Sequence, residues 1–359
     1  MNFRLNEDQQ QLQGTIARIL AADRIQPRTR AVMDGKQKWD EETWKELIDF
    51  GLTSIVVPEE HGGMGMSLIE LALCSEELGR SAAAVPFLGH ALATIAIVEG
   101  GSDEQKAKYL PGLASGEVLG SVAITEGNDT WAPKDWRMAV AGGTISGRKR
   151  NVPSGEIAQL IVVGLEGGKL GVVEVANGGV SCETFELLDL TRPICSIEFD
   201  KAKVDILTGA PDAATRMWDA ALALLSADAY GGSWKITEMA RDYVQIREAF
   251  GAKLAEFQAI KHQMANVILE VEPTRGLYWF AAYTFANMPD KATHAASLAK
   301  AQTAEVYDKV ARMCTELHGG IGFTWEFDAH IWLKRAIFDL AWGGMPQRLF
   351  IRAAAQTDW

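Results

Sequence analysis

The residues of this 359-residue chain best suited to chemistry fall into a few short stretches. Arg247-Glu248-Ala249-Phe250-Gly251 is followed seven residues later by Gln258. Further on, Glu316 immediately precedes Leu317-His318-Gly319-Gly320-Ile321-Gly322-Phe323. A guanidinium carries a permanent charge and a fork that can pair with two phosphate oxygens. Adjacent glycines let backbone approach a ligand closely. Each feature alone has a plainer reading: a solvated or salt-bridged helix arginine, and an ordinary helix C-cap. Four cysteines, Cys74, Cys182, Cys195 and Cys314, stand without Cys-x-x-Cys spacing, so they read as reduced thiols, neither a disulfide frame nor a zinc site. No Gly-x-Gly-x-x-Gly follows a strand-like run, which argues against a Rossmann unit. The net charge of -12 argues against non-specific nucleic-acid binding.

The elements that must position these residues come in three blocks. Hydrophobic residues at 48% and charged residues at 23% give a globular balance. No apolar run approaches the roughly 18 residues of a membrane span, and Met1–Asp8 lacks a signal-peptide core, so a cytoplasmic location is expected. The first block is helical. Asn6 and Gln9 have capping-box spacing ahead of Leu12, Ile16, Ile19 and Leu20. Asp40 to Phe50 reads as a helix ended by Gly51, and Ser67 as the cap of a helix through Leu68, Leu71, Leu73 and Leu78. Near Leu119 the pattern changes to short β-type runs at 121–125, 138–141, 160–163, 170–175 and 197–199, punctuated by Gly142-Gly143, Gly167-Gly168 and Asn177-Gly178-Gly179. From Pro211 onward the pattern is helical again, with long stretches free of Gly and Pro at 235–250 and 292–317. The expected fold is α+β and mostly helical. It comprises a helical domain (1–119), a small antiparallel barrel or sandwich (120–208) and a four-helix bundle (209–359).

This order, together with motifs along essentially the whole chain, resembles the acyl-CoA dehydrogenases. Val57-Pro58-Glu59-Glu60-His61-Gly62-Gly63-Met64-Gly65 resembles the family's loop before a long helix, and Glu76-Glu77-Leu78-Gly79-Arg80 the end of that helix. Arg247-x-x-Phe250-Gly251 with Gln258 matches an Arg-x-x-Phe-Gly…Gln signature, and 317–323 a Gly-Gly-x-Gly-Tyr/Phe turn. The resemblance implies FAD and a carboxylate base: the base removes the proton alpha to a thioester carbonyl, and the flavin takes hydride from the beta carbon. It also implies that each flavin is held by two subunits. One cradles the ring, and its mate reaches the diphosphate and adenosine. Arg247, Phe250, Gln258, Glu316, Gly319 and Gly320 fall on the mate's contribution. Glu316 stands where the family usually has Gln.

The ring cradle departs from the family. Its Thr-Glu-Pro-Gly-Ala-Gly-Ser-Asp stretch becomes Thr125-Glu126-Gly127-Asn128-Asp129-Thr130, keeping Thr125 alone as a candidate flavin contact. Its Trp-Ile-Thr becomes Asn151-Val152-Pro153, where a one-residue slip would bring in Ser154. The two family positions for the catalytic Glu fall on Gly343 and Ala221, and the family Thr beside the flavin on Met345. Asp219 and Asp339 are the nearest carboxylates in sequence. The resemblance thus narrows to the base-lacking subunit of heteromeric bacterial steroid and bile-acid side-chain enzymes. The implied partners are a homologous subunit carrying the Glu, an acyl-CoA and an electron-transfer flavoprotein. Two other readings remain open: a complete homomeric dehydrogenase with an unusual base, and a flavin-free relative that binds CoA esters or proteins.

Overall fold

The computed structural model describes residues 4–127 and 130–357. Asn128 and Asp129 of the altered cradle, and Met1–Phe3, lie outside the described residues. Six helices come first: α1 (Glu7–Ile19), α2 (Ala22–Met33), α3 (Glu41–Phe50), α4 (Leu68–Ser81), α5 (Phe87–Gly100) and α6 (Asp103–Ala114). Their starts follow from capping chemistry. The Asn6 side chain accepts from the Gln9 N–H at 2.8 Å while Gln9 reaches back to the Asn6 N–H at 3.0 Å. Ser67 and Glu70 form a second box at α4. Asp40 accepts from the Thr43 N–H at 3.0 Å, and Gly51 closes α3 at a φ of 98°. Helix α5 is apolar around its circumference and correspondingly buried, lying between β1 and α7.

Among the described residues the middle region holds two four-stranded sheets. The first runs β1 (Gly120–Ala123), β4 (Leu160–Leu165), β5 (Lys169–Glu174), β8 (Asp205–Ile206). The second runs β2 (Val140–Ala141), β3 (Thr144–Pro153), β7 (Ile194–Lys203), β6 (Val180–Thr184). Pairing is antiparallel except between β1 and β4, which run parallel. Strand β3 is the longest element the sequence pattern concealed. Its run Ser146-Gly147-Arg148-Lys149-Arg150-Asn151 is polar, yet Lys149 is fully buried, its Nζ 2.7 Å from Glu126 and its charge facing the Trp136 ring. A register shift between Lys149 and Val152 makes a bulge at Arg150-Asn151, and Asn151 takes a φ of 55° there.

The last block is a bundle of α7 (Ala213–Ile246), α8 (Gln258–Asn287), α9 (Pro289–Leu317) and α10 (Ala329–Ala341), flanked by α11 (Pro346–Ala354). Helix α7 runs 34 residues straight through Gly231-Gly232. A Cβ at 231 would lie 1.9 Å from the Glu76 carbonyl oxygen, and one at 232 would lie 2.3 Å from Tyr307 Oη. Close packing of α4 and α9 on α7 therefore outweighs the propensity cost of glycine, about 1 kcal/mol each. Between the bundle and the sheets lies a buried ion cluster. Asp228 on α7 meets Arg335 on α10 at 2.9 Å and also Arg192, which itself pairs with Asp339. Arg335 Nη1 donates to Thr191 Oγ1 at 3.0 Å, tying the loop before β7 to both helices.

Candidate functional site

Six of the seven candidate cofactor residues gather at one end of the bundle, where α7 and α9 both stop. Tyr243, one turn before the end of α7, packs on His318 at the end of α9 with ring centroids 4.7 Å apart, and Phe327 lies 4.7 Å from the same imidazole. Burial holds His318 below its ordinary pKa, and its Nδ1 is 2.6 Å from the Cys314 carbonyl oxygen. A neutral ring can therefore fill the joint between the helices. Beyond this joint everything turns outward. Arg247 caps α7 with extended backbone, is exposed, and has no ion-pair partner among the described residues. Glu316, Gly319, Gly320 and Gln258 are exposed as well, and a Cβ on either glycine would meet nothing within 4 Å.

Phe250 sits at the tip of a hairpin of β9 (Glu248–Ala249) and β10 (Ala252–Lys253). Its two central residues, Phe250 and Gly251, have φ of 53° and 81°, the backbone signs of a type I′ turn. Asparagine or glycine is usual at the first of these positions; a bulky residue there costs roughly 1 kcal/mol. The residue is 97% exposed, and its ring stands edge-on to Phe257, centroids 6.4 Å apart. A strained backbone thus presents an aromatic ring to whatever lies outside the chain.

The family-aligned ring cradle is a different kind of place. Thr125, the seventh candidate, is fully buried, and its hydroxyl donates to the Arg150 carbonyl at 2.7 Å. The Asn151 carbonyl accepts from Trp342 Nε1 at 2.9 Å, and the Pro153 carbonyl accepts from the Ser121 hydroxyl at 2.5 Å. Ser154 lines smaller cavities elsewhere, not the one bordered by Asn151. That one has a volume of about 550 Å³ and lies between α10 and the loop before β7, with Asn151 and Met345 on its wall. Trp131 and Trp342 stand on its wall, their ring centroids 4.9 Å apart at an interplanar angle of 58°. A second cavity of about 550 Å³ opens on the far side of Trp131, between α7 and α11, with Lys134 and Arg352 at its edge.

The positions aligned with the family base are occupied by structure. Gly343 has a φ of 83°, and a Cβ there would lie 3.2 Å from Leu222 Cδ2 and 3.3 Å from Leu225 Cδ1. Its carbonyl accepts from Trp218 Nε1 at 2.8 Å. Ala221 is buried in α7. Asp219 is 2.7 Å from Arg352 and accepts from the Thr293 hydroxyl at 2.7 Å; burial still pushes its carboxyl up. Burial likewise pushes Asp339 up to about 7, against the pull of Arg192. Such a value suits a base, but Asp339 is fully buried inside the ion cluster and lines neither large cavity. The carboxylate on the wall of the Asn151 cavity is Asp189, which sequence reasoning passed over. Trp131, Trp342 and Arg192 were missed with it. A count of eleven tryptophans, and Trp342 beside Gly343, were the available signals.

The residues present can be tested against FAD in two places. The cradle does not fit a flavin ring: its hydroxyl and carbonyl groups are committed within the fold, and no aromatic or hydroxyl side chain stands at 151, 153 or 345. The bundle end does fit the diphosphate half of such a ligand. It offers a guanidinium with no ion-pair partner among the described residues, an open glycine pair and an aromatic residue that is 97% exposed.

With this geometry in view, the chain belongs to the acyl-CoA dehydrogenase family. Residues 6–117 match the family's N-terminal domain and residues 221–356 its C-terminal domain. The family comprises FAD-using oxidoreductases that act on acyl-CoA. Among curated relatives, acyl-CoA dehydrogenase IpdE2 of Mycobacterium tuberculosis is 28% identical, the match spanning 92% of this chain and 91% of that protein. Among solved structures, the ChsE4-ChsE5 complex from Mycobacterium tuberculosis superposes with a TM-score of 0.90 at 25% identity, covering 100% of both chains. A variant of the Tcur3481-Tcur3483 steroid ACAD gives 0.88 at 28% identity, covering 98% of this chain and 97% of that one.

Proposed function

We propose that this chain is the base-lacking subunit of a heteromeric acyl-CoA dehydrogenase and that it completes the FAD site of a homologous partner. The observation that carries this reading is Phe250, 97% exposed at the tip of a strained hairpin beside an unpaired Arg247. FAD bound in the partner supplies the acceptor for the hydride from the beta carbon. Arg247 neutralises the diphosphate, Gly319 and Gly320 let backbone come close to it, and Phe250 and Gln258 cover the adenosine end. Glu316 is the discordant member, since a carboxylate near a diphosphate repels it unless paired or protonated. The catalytic Glu that takes the alpha proton belongs to the partner, because Gly343 and Ala221 carry no acceptor here.

The likeness to a steroid ACAD and to the two-component ChsE4-ChsE5 complex supports a bulky substrate, a steroid side-chain CoA ester or a similar thioester. An electron-transfer flavoprotein then receives the electrons. No helix among the described residues is long and apolar enough to cross a membrane, in keeping with a cytoplasmic enzyme. Domain limits of 1–119, 120–208 and 209–359 accompany this reading.

The test is expression of the chain alone and together with a Glu-bearing homologue encoded nearby. The chain alone is expected to be colourless, and the mixed complex to carry FAD and oxidise acyl-CoA. Stoichiometric yellow FAD with turnover in the chain alone would instead establish the homomeric reading.

A further inference from the structure

The four cysteines are free thiols, and two of them stand together in the second sheet. Strand β6 pairs antiparallel with β7, setting Thr184 opposite Cys195 and Cys182 opposite Ile197. Side chains two residues apart on a strand share a face, so Cys182 and Cys195 are diagonal neighbours on one side of the ladder. Their thiols are hydrogen-bonded to each other. The two sulfurs differ in setting. Cys195 is 1% exposed and packs in the core of the sheets, where a Cβ on Gly155 would lie 2.7 Å from its Sγ. Cys182 is exposed, whereas Cys74, Cys195 and Cys314 are buried. Lys38, ion-paired with Glu156, lies within electrostatic reach of the Cys182 sulfur. Desolvation pushes both thiols up, strongly at Cys195. The shared hydrogen bond raises Cys195 further but draws Cys182 back down, and Lys38 draws Cys182 down against Glu156. Cys195 is therefore the S–H donor of the pair, and Cys182 is the sulfur that more readily carries negative charge.

We propose that Cys182 and Cys195 form a peroxide-sensitive dithiol, reduced at rest and closed to a reversible disulfide by hydrogen peroxide. The Cys182 sulfur attacks one peroxide oxygen. An S–O bond forms, the O–O bond breaks, and the released hydroxide leaves as water with the Cys182 proton, so that Cys182 becomes a sulfenic acid. The Cys195 sulfur then attacks the Cys182 sulfur. An S–S bond forms, the S–O bond breaks, and the second hydroxide leaves as water with the Cys195 proton. Two thiols lose two electrons in all, and one peroxide is reduced to two waters. Strand β6 is an edge strand, bonded to β7 alone, and residues 181–184 are exposed. It can therefore be drawn in to the Cα separation a disulfide tolerates, up to about 7 Å. The segment that the bond closes, 182–195, carries Leu187, Leu188 and Asp189 of the Asn151 cavity wall and Arg192 of the ion cluster. A crosslink across a loop restricts the states it can open into. Oxidation thus clamps this wall, and reduction releases it.

The experiment treats the folded full chain with a small excess of hydrogen peroxide, blocks the remaining thiols and maps its peptides without reduction. A single linkage between Cys182 and Cys195 is expected, with the loss of two hydrogens, and dithiothreitol is expected to reverse it. Amide hydrogen exchange across 185–194 is expected to slow at least about ten-fold in the oxidised chain, with exchange in α8 and α9 unchanged. Cys195→Ser keeps the exposed sulfur and removes the thiol that resolves it, so peroxide is expected to leave a sulfenic acid at Cys182 that dimedone captures. The parent chain should show little such capture, because Cys195 consumes the intermediate. No linkage after peroxide in the parent chain, linkage to Cys74, Cys314 or a second chain instead, or linkage that leaves exchange across 185–194 unchanged would each overturn the proposal. The parent chain alone decides these outcomes, whatever the folding of the variant.

Discussion

The middle and the far end of α7 lie in opposite physical situations. Its middle, at Ala221 to Asp228, is sealed: Gly343 is hemmed by Leu222 and Leu225, and Asp228 is held between two arginines. Burial pushes the Asp228 carboxyl up, but Arg192 and Arg335 outweigh it, leaving its pKa below the ordinary value. Its far end, at Arg247 and the Phe250 hairpin, is open and unsatisfied. Interiors that have lost a ligand's chemistry can close by packing, because apolar burial rewards closure. A surface that keeps an exposed aromatic ring on a strained turn gains nothing from it within its own chain. On the proposed function, the sealed region is the half of a shared site that this chain has lost and the open end the half it presents to a partner.

The most severe way to disturb the sealed region is to open its ion cluster. Asp228→Ala leaves Arg192 and Arg335 buried with less counter-charge, and a loss of about 3–5 kcal/mol is expected in urea unfolding. A change under about 1 kcal/mol would show that the cluster is hydrated in solution and the contrast with the open end overstated.

At the open end the expected effect is on the ligand, not on the fold. Arg247→Ala in the mixed complex is expected to weaken flavin retention on dilution by on the order of ten- to a hundred-fold, as for a charge-assisted contact worth about 1.5–3 kcal/mol. Stability should shift by no more than about 0.5 kcal/mol, since the residue is exposed. Unchanged flavin retention would remove Arg247 from the shared site.

Restoring the carboxylate tests whether the sealed region lacks only its base. Gly343→Glu places a side chain at a φ of 83° against two leucines, so a stability loss of about 1–3 kcal/mol is expected. No acyl-CoA oxidation should appear in the isolated chain with excess FAD and an artificial acceptor, since hydride transfer also needs a flavin held at near-attack distance. Turnover created by this one substitution would show a working flavin cradle.

The smallest effect sharpens the comparison most. Phe250→Gly relieves the left-handed strain and is expected to raise the stability of the chain alone by about 0.5–1 kcal/mol while lowering flavin retention in the complex. Gains in both quantities would mean that the exposed ring has no partner.

Much of this molecule was legible without coordinates, because the relevant signals are local. Capping boxes at Asn6 and Ser67 and the glycine stop at Gly51 depend on backbone chemistry within a few residues, and the structure places all three as read. Three-block order and the family motifs were legible for the same reason. Strand β3 was not, because its polar face disguised a buried Lys149 whose partner, Glu126, lies 23 residues upstream. The parallel pairing of β1 with β4 and the passage of α7 through Gly231-Gly232 were also hidden, being settled by distant contacts.

The candidate site divides along the same line. Sequence by itself determined which chemical groups are present and which are missing: Arg247, Phe250, Gln258 and the glycine pair kept, a carboxylate absent at 343 and 221. Only the tertiary structure decided which of them face outward and which are spent inside. Exposure of Phe250 and the commitment of the Thr125 hydroxyl to Arg150 depend on how whole elements pack. So does the burial of an Asp189 oxygen with no hydrogen-bond partner among the described residues. A side chain's hydrogen-bonding capacity is fixed by its covalent structure. Whether that capacity is already satisfied depends on neighbours that the fold brings from far along the chain.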